Sequence, residues 1–236
     1  MKHKIITFGE LMLRLSPDNN ERFTQAHSYE AVYGGGEANT AVSLANFNVD
    51  TRYVTKLPKH TIGQSAVNSL RQYGVDVSRI VRGGDQIGIY FLEKKTSQRP
   101  TNVIYNRNGS AFALATKEDF DWDSIFDGAT WFHFSGITPA ISDNMAEITI
   151  EACKEAKKRG ITVSCDLNYR SKLWSSEKAN KVMSEVCRYV DICIANEDDA
   201  VGIFGMDAYK SDKEKNAYIA EELTKMFPNF KMVASV

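Results

Sequence analysis

Four short stretches of the sequence concentrate side chains able to do chemistry. The first is Gly34-Gly35-Gly36-Glu37-Ala38-Asn39, which precedes a helical pattern. Glycines there let a ligand approach the backbone, and a helix start offers unpaired N–H donors. A dinucleotide fingerprint, G-x-G-x-x-G just after a strand, is not met, because Asn39 stands in the third glycine's place. No G-x-x-x-x-G-K-[ST] occurs, which argues against a Walker-type NTPase. The plainer reading is a glycine turn with Glu37 as a first-turn acid.

The second stretch, Asp166-Leu167-Asn168-Tyr169-Arg170, follows a strand-like run, where open α/β sheets bind ligands. Asp and Asn suit metal or phosphate surroundings, and Arg can grip a carboxylate with two parallel bonds. The third, Asn196-Glu197-Asp198-Asp199, also follows a strand and suits a hydrated Mg²⁺ near phosphates. Acids favour helix starts in any case. In the fourth, Tyr90, Tyr105 and Arg107 suit a small polyhydroxylated acid, or else ordinary cross-strand packing. His133 reads as a satisfied core histidine, and Trp122, Trp131 and Trp174 read as packing residues.

The elements that must position these residues alternate. Strands are expected over 4–8, 52–57, 77–81, 130–134, 161–165, 192–195 and from 231 onward. Helices are expected over 37–47, 62–73, 145–159, 177–189 and about 213–226, with Asn48, Gly74 and Gly160 as stops. This alternation predicts a mainly parallel sheet covered by helices. The strand ends at Phe8, Phe134, Cys165 and Ala195 should share one side of it. Segments 12–33 and 86–107 lack helical period and read as β-ribbon, either a small substrate lid or an edge hairpin.

Composition narrows the function classes. The chain has 236 residues, with 29 Lys plus Arg against 30 Asp plus Glu, a net charge of −1. That balance disfavours nucleic-acid binding through phosphate attraction. Hydrophobic residues make up 43% and aromatics 11%, which is ordinary globular composition. No run is long and apolar enough to span a membrane, and the N-terminus does not read as a signal peptide. The four cysteines show no C-x-x-C spacing and read as buried thiols of a cytoplasmic protein.

Taken together, the stretches resemble the ribokinase-like (PfkB) carbohydrate kinases, most closely their 2-keto-3-deoxygluconate kinase branch. The resemblance runs along the whole chain. It is carried by Gly9-Glu10, the 34–39 motif, Gly63, Gly88-Ile89-Tyr90, Tyr105-Asn106-Arg107-Asn108-Gly109-Ser110-Ala111, Ser135-Gly136-Ile137-Thr138-Pro139-Ala140, Asp166 to Arg170 with Leu173-Trp174, and Asn196 to Asp199. It implies a three-layer α/β/α sandwich with a small β lid. It also implies ATP and Mg²⁺, with the need for a monovalent cation left open, and a homodimer formed through the lids. Gly35, Asn39, Tyr90, Tyr105, Arg107, Ile137 and Arg170 would line the sugar-acid site, the two arginines taking the carboxylate. Asn168, Asn196, Glu197 and Asp199 would lie toward the ATP phosphates and Mg²⁺, with no direct metal ligand.

Three departures stand out. Asn48 replaces a frequent Gly, and Asp199 a frequent Glu. The family's Gly-Ala-Gly-Asp motif, with its catalytic aspartate, is absent from the sequence. The expectation is therefore an incomplete sugar-acid kinase, whose base would lie beyond Val236. The competing expectations are a non-catalytic sugar-acid-binding fragment and an NAD-dependent Rossmann oxidoreductase.

Overall fold

The computed structural model describes residues 3–207 and 215–235. The chain opens with β1 (Lys4–Phe8), β2 (Met12–Pro17), β3 (Tyr29–Gly34) and α1 (Gly36–Asn46). It continues through β4 (Asp50–Val54), β5 (Lys56–Leu57), α2 (Thr61–Arg71), β6 (Val81–Arg82), β7 (Ile89–Glu93) and β8 (Asn102–Asn106). Then come α3 (Trp122–Ile125), β9 (Trp131–Ser135), α4 (Ile137–Ala140), α5 (Asp143–Lys158), β10 (Thr162–Asp166) and α6 (Ser176–Cys187). The last elements are β11 (Ile192–Ala195), α7 (Glu197–Phe204), α8 (Lys215–Met226) and β12 (Met232–Ser235).

Six parallel strands form the main sheet, in the order β12-β11-β10-β9-β1-β4. Parallel pairing puts every strand's C-terminal end on one edge, so Phe8, Phe134, Cys165 and Ala195 meet the expectation. Strand order reverses beside β1, which is followed by β4 on one side and lies against β9 on the other. Such a switch point opens a crevice for ligands.

Side chains alternate across the sheet. Ile6, Phe8, Phe132, Phe134, Val163, Cys165 and Cys193 are buried in one core with Met145, Ile148 and Ala152 of α5 and Met183 and Val186 of α6. Helix α5 starts where Ser142 Oγ accepts the Met145 N–H at 3.2 Å. On the other face, Ala38 and Ala41 of α1 and Ala66 and Leu70 of α2 pack in a cluster with Tyr53. Farther along that face Trp131, His133, Ile192 and Ile194 are largely but not fully buried. Ser164 Oγ lies 2.9 Å from His133 Nδ1 and accepts Trp131 Nε1–H at 2.7 Å. Burial lowers the His133 pKa to about 4, so the ring is neutral. The four cysteines are buried and unpaired.

The two β-ribbon segments merge into one four-stranded sheet, in the order β3-β2-β7-β8. Each ribbon is antiparallel, and a parallel β2–β7 pairing joins them. Two expectations need correction. Residues 52–57 are not one strand, because the chain leaves the main sheet after Val54 and β5 pairs with β6. The strand expected over 77–81 lies at Val81–Arg82 instead, since the Ile80 N–H turns back to the Val77 carbonyl at 3.2 Å. Asn48 adopts φ 60°, the left-handed stop expected there. The start of the last helix, expected near residue 213, lies outside the described residues.

Candidate functional site

The glycine turn is built by packing as much as by access. A Cβ on Gly35 would lie 2.2 Å from the Glu10 carbonyl oxygen, so Gly35 is required for backbone contact. A Cβ on Gly34 would sit 3.7 Å from Tyr90 Oη and 3.9 Å from Asn39 Oδ1. Gly34 therefore lies beside two of the expected ligand-binding side chains. Glu37 is buried in the first turn of α1, hydrogen-bonded to Ser135. Desolvation raises its pKa, and the nearby Asp166 adds to the effect.

From this turn a continuous row of side chains leads across the smaller sheet. Tyr90 and Tyr105 face each other in register, with ring centroids 5.8 Å apart. The Arg107 guanidinium lies 5.9 Å from the Tyr105 ring centre, within cation–π reach. Arg107 itself is buried, and its Nε donates to Glu10 Oε2 at 2.7 Å. Glu10 was not among the expected site residues. Its place in Gly9-Glu10, directly after the first strand, was the available signal.

The remaining expected residues line the C-terminal edge of the main sheet. Ile137 opens the short α4 just past β9, and its N–H donates to Ser135 Oγ at 3.3 Å. Asn168 takes a positive φ of 40° in the loop after β10, a conformation Asn tolerates. The Arg170 side chain is exposed and makes no hydrogen bond or ion pair within the described residues, though its charge acts on Asp166 and Asp199; its carbonyl accepts the Leu173 N–H at 2.8 Å. Asn196 and Asp199 form a capping box at the start of α7. Asp199 Oδ2 accepts the Asn196 N–H at 3.0 Å, and Oδ1 accepts the Tyr169 N–H at 2.6 Å. Glu197 is half-buried beside it. Arg107 and Arg170 thus follow different strands, and each belongs to a separate loop.

The metal expectation can be tested on these donors. Asp199 has both oxygens engaged by backbone N–H groups. Among the described residues, no group of three or more His, Cys, Asp or Glu could hold a metal ion. The described residues therefore do not form a direct Mg²⁺ cage. A cavity of about 530 Å³ between β3, α1 and α2, lined by Tyr33, Asn39, Val42, Ser43 and Leu70, touches only Asn39 of the expected set. No helix among the described residues is long and apolar enough to cross a membrane.

Chemically, the row offers phenol hydroxyls and a guanidinium for a polyol and an anion. The glycine turn follows β3 of the smaller sheet and not a core strand, which removes the structural basis of the dinucleotide reading.

Residues 2–229 match the family model described as pfkB family carbohydrate kinase. A 2-dehydro-3-deoxygalactonokinase of Haloferax volcanii is 37% identical over 209 residues, which is 88% of this chain and 65% of the relative. A 2-dehydro-3-deoxygluconokinase of Bacillus subtilis is 29% identical, over 75% of this chain and 55% of its own length. The crystal structure of a 2-dehydro-3-deoxygluconokinase from Thermotoga maritima superposes with a TM-score of 0.95 at 49% identity. That match covers 100% of this chain and 71% of the relative's. The chain thus spans just under two thirds of the length of the Haloferax relative, and less of the Bacillus one.

Proposed function

Because the chain belongs to the pfkB family of carbohydrate kinases, we propose that it serves ATP-dependent phosphorylation of a small sugar acid, 2-keto-3-deoxygluconate, at its C6 hydroxyl. The observation that carries the reading is the row from Asn39 and Gly34 through Tyr90 and Tyr105 to Arg107. Hydroxyl donors bind the polyol, while Arg107 and Arg170 serve the carboxylate, which a neutral sugar lacks. The named activities of the Haloferax, Bacillus and Thermotoga relatives support the same class of substrate.

In this reading the smaller sheet acts as a lid, Ile137 and Arg170 belong to the acid site, and Asn168, Asn196, Glu197 and Asp199 face the ATP phosphates. Phosphoryl transfer depends mainly on positioning and charge neutralisation. Mg²⁺ would supply part of that neutralisation as a hydrated ion carried with ATP. This chain's residues bind and orient the acid, and the proton of the C6 hydroxyl is not assigned to any of them.

The test incubates the protein with ATP and, separately, 2-keto-3-deoxygluconate, 2-keto-3-deoxygalactonate and fructose, and locates the new phosphate by NMR. The reading expects the keto-acids to be phosphorylated at C6 in preference to fructose. Tight acid binding without transfer would favour the non-catalytic binding fragment, and equal use of fructose would contradict the acid-site assignment.

A further inference from the structure

Glu10 is a buried carboxylate that the proposed site leaves without a role. Its side chain is 2% exposed and that of Arg107 is 8% exposed. Arg107 presents Nε, at 2.7 Å, and Nη2 to the same oxygen, Oε2. The Ser110 hydroxyl donates to the other oxygen, Oε1. Ser110 is held in turn, because its Oγ accepts the Ala113 N–H at 3.1 Å and its N–H donates to the Arg107 carbonyl at 3.0 Å. One turn, residues 107–110, therefore offers two of its polar side chains, Arg107 and Ser110, to one carboxylate. The backbone makes room for this, since a Cβ on Gly88 would lie 2.6 Å from Glu10 Oε1.

The consequence is a guanidinium with one edge committed and one edge left. Nη1 makes no hydrogen bond within the described residues, while the Tyr105 ring lies 5.9 Å from the guanidinium carbon. An unrestrained arginine loses rotamer freedom when it binds an anion. An arginine already fixed through Nε and Nη2 loses less, and presents its remaining donors in one geometry.

We infer that Glu10 is a positioning residue, which clamps Arg107 so that its Nη1 edge is delivered to the carboxylate of the substrate. The inference rests on the sugar-acid site proposed above. Glu10 acts through Arg107 and does not touch the substrate. Ser110 holds the carboxylate in place while it does so.

The test is a double-mutant cycle read by calorimetric titration with 2-keto-3-deoxygluconate, on the wild type, Glu10→Ala, Arg107→Ala and the double variant. Glu10→Ala is expected to weaken acid binding at least tenfold, with ATP affinity unchanged. In the Arg107→Ala background the same change should add nothing further. Glu10→Gln, which keeps an acceptor for Nε, should recover part of the affinity. Losses that multiply in the double variant would overturn the proposal, because Glu10 would then act independently of Arg107. So would wild-type affinity in both Glu10 variants with only a lowered melting temperature, the mark of a purely structural pair. Wild-type affinity in Arg107→Ala would instead sink the acid site itself, and the clamp with it. Should Glu10→Ala fail to fold by circular dichroism, Glu10→Gln and Ser110→Ala carry the cycle, and additive losses there overturn it equally.

Discussion

Asp199 Oδ1 accepts the backbone N–H of Tyr169 at 2.6 Å, which ties the loop after β10 to the first turn of α7. Its other oxygen accepts the Asn196 N–H, and Asn196 Oδ1 accepts the Asp199 N–H at 2.9 Å. Arg170 follows Tyr169 directly, so this carboxylate holds the stretch of chain that carries the exposed arginine. An aspartate is short enough to close the box on its own helix while reaching across to the loop.

Asp199→Ala should therefore cost about 1–3 kcal/mol of stability, the sum of a lost cap and a stranded backbone donor. It should also weaken acid binding, because the Arg170 loop loses its tether. Urea unfolding checks the first effect and ligand titration the second. An unchanged unfolding midpoint would show that the capping box does not hold the loop.

The three adjacent glycines should respond differently to the same change. Gly36 has no atom within 4 Å of an added Cβ, whereas Gly35 has the Glu10 carbonyl at 2.2 Å. Gly36→Ala should be neutral or slightly stabilising, by up to about 1 kcal/mol, through the unfolded chain. Gly35→Ala should lose about 1–3 kcal/mol or more by forcing α1 away from Glu10. Thermal melts of the two variants compare them directly, and equal melting temperatures would contradict the packing argument.

Asp191 supplies the pH dependence. Its side chain is 3% exposed, and both its oxygens lie 2.8 Å from Lys157 Nζ. Burial alone would raise its pKa, but Lys157, the Val163 N–H and Lys231 outweigh burial and hold it below the ordinary value. The folded state then binds fewer protons than the unfolded one. The stability this group contributes is complete above the ordinary carboxylate pKa of about 4, and is lost as pH falls through the folded value. Asp191→Asn should cost about 1–3 kcal/mol at pH 7, given that both lysines are partly exposed. The gap to wild type should narrow under strong acid. Denaturant titrations at pH 7 and below pH 3 test this, and an equal gap at both would refute it.

Much of the scaffold was legible because its signals are local. The parallel strands and the helices between them follow from apolar period and from stops such as Asn48 and Gly160, both at positive φ. The split after Val54 was not legible, because residues 52–57 read as one β-type run and only the pairing of Lys56 with Val81 separates them. On the smaller sheet, Tyr90, Tyr105 and Arg107 are neighbours. The need for glycine at position 35 depends on what a Cβ would strike, and the Glu10–Arg107 pair joins residues 97 positions apart. Neither is written in any short window of sequence.

Self-association through the smaller sheet gives a further expectation. β8 is one of its two edge strands, and Ile104 and Tyr105 are 50% and 53% exposed on it. Pairing of two such sheets would cover that strand. Light scattering should find a dimer at micromolar concentration, and Ile104→Lys should shift it to monomer. A wild-type protein that is only monomeric would count against it.

The most direct measurement on the sugar-acid assignment is calorimetric titration of wild type, Arg170→Lys and Arg170→Ala with 2-keto-3-deoxygluconate. The exposed Arg170 side chain makes no hydrogen bond or ion pair within the described residues that its loss would break, so the readout is substrate affinity and not folding. Lysine keeps the charge but cannot reproduce the planar fork, so Arg170→Lys should bind more weakly than wild type. Arg170→Ala should lose on the order of 2–5 kcal/mol of binding if the carboxylate is desolvated, with ATP affinity little changed. Wild-type affinity for the acid in Arg170→Ala would contradict the account.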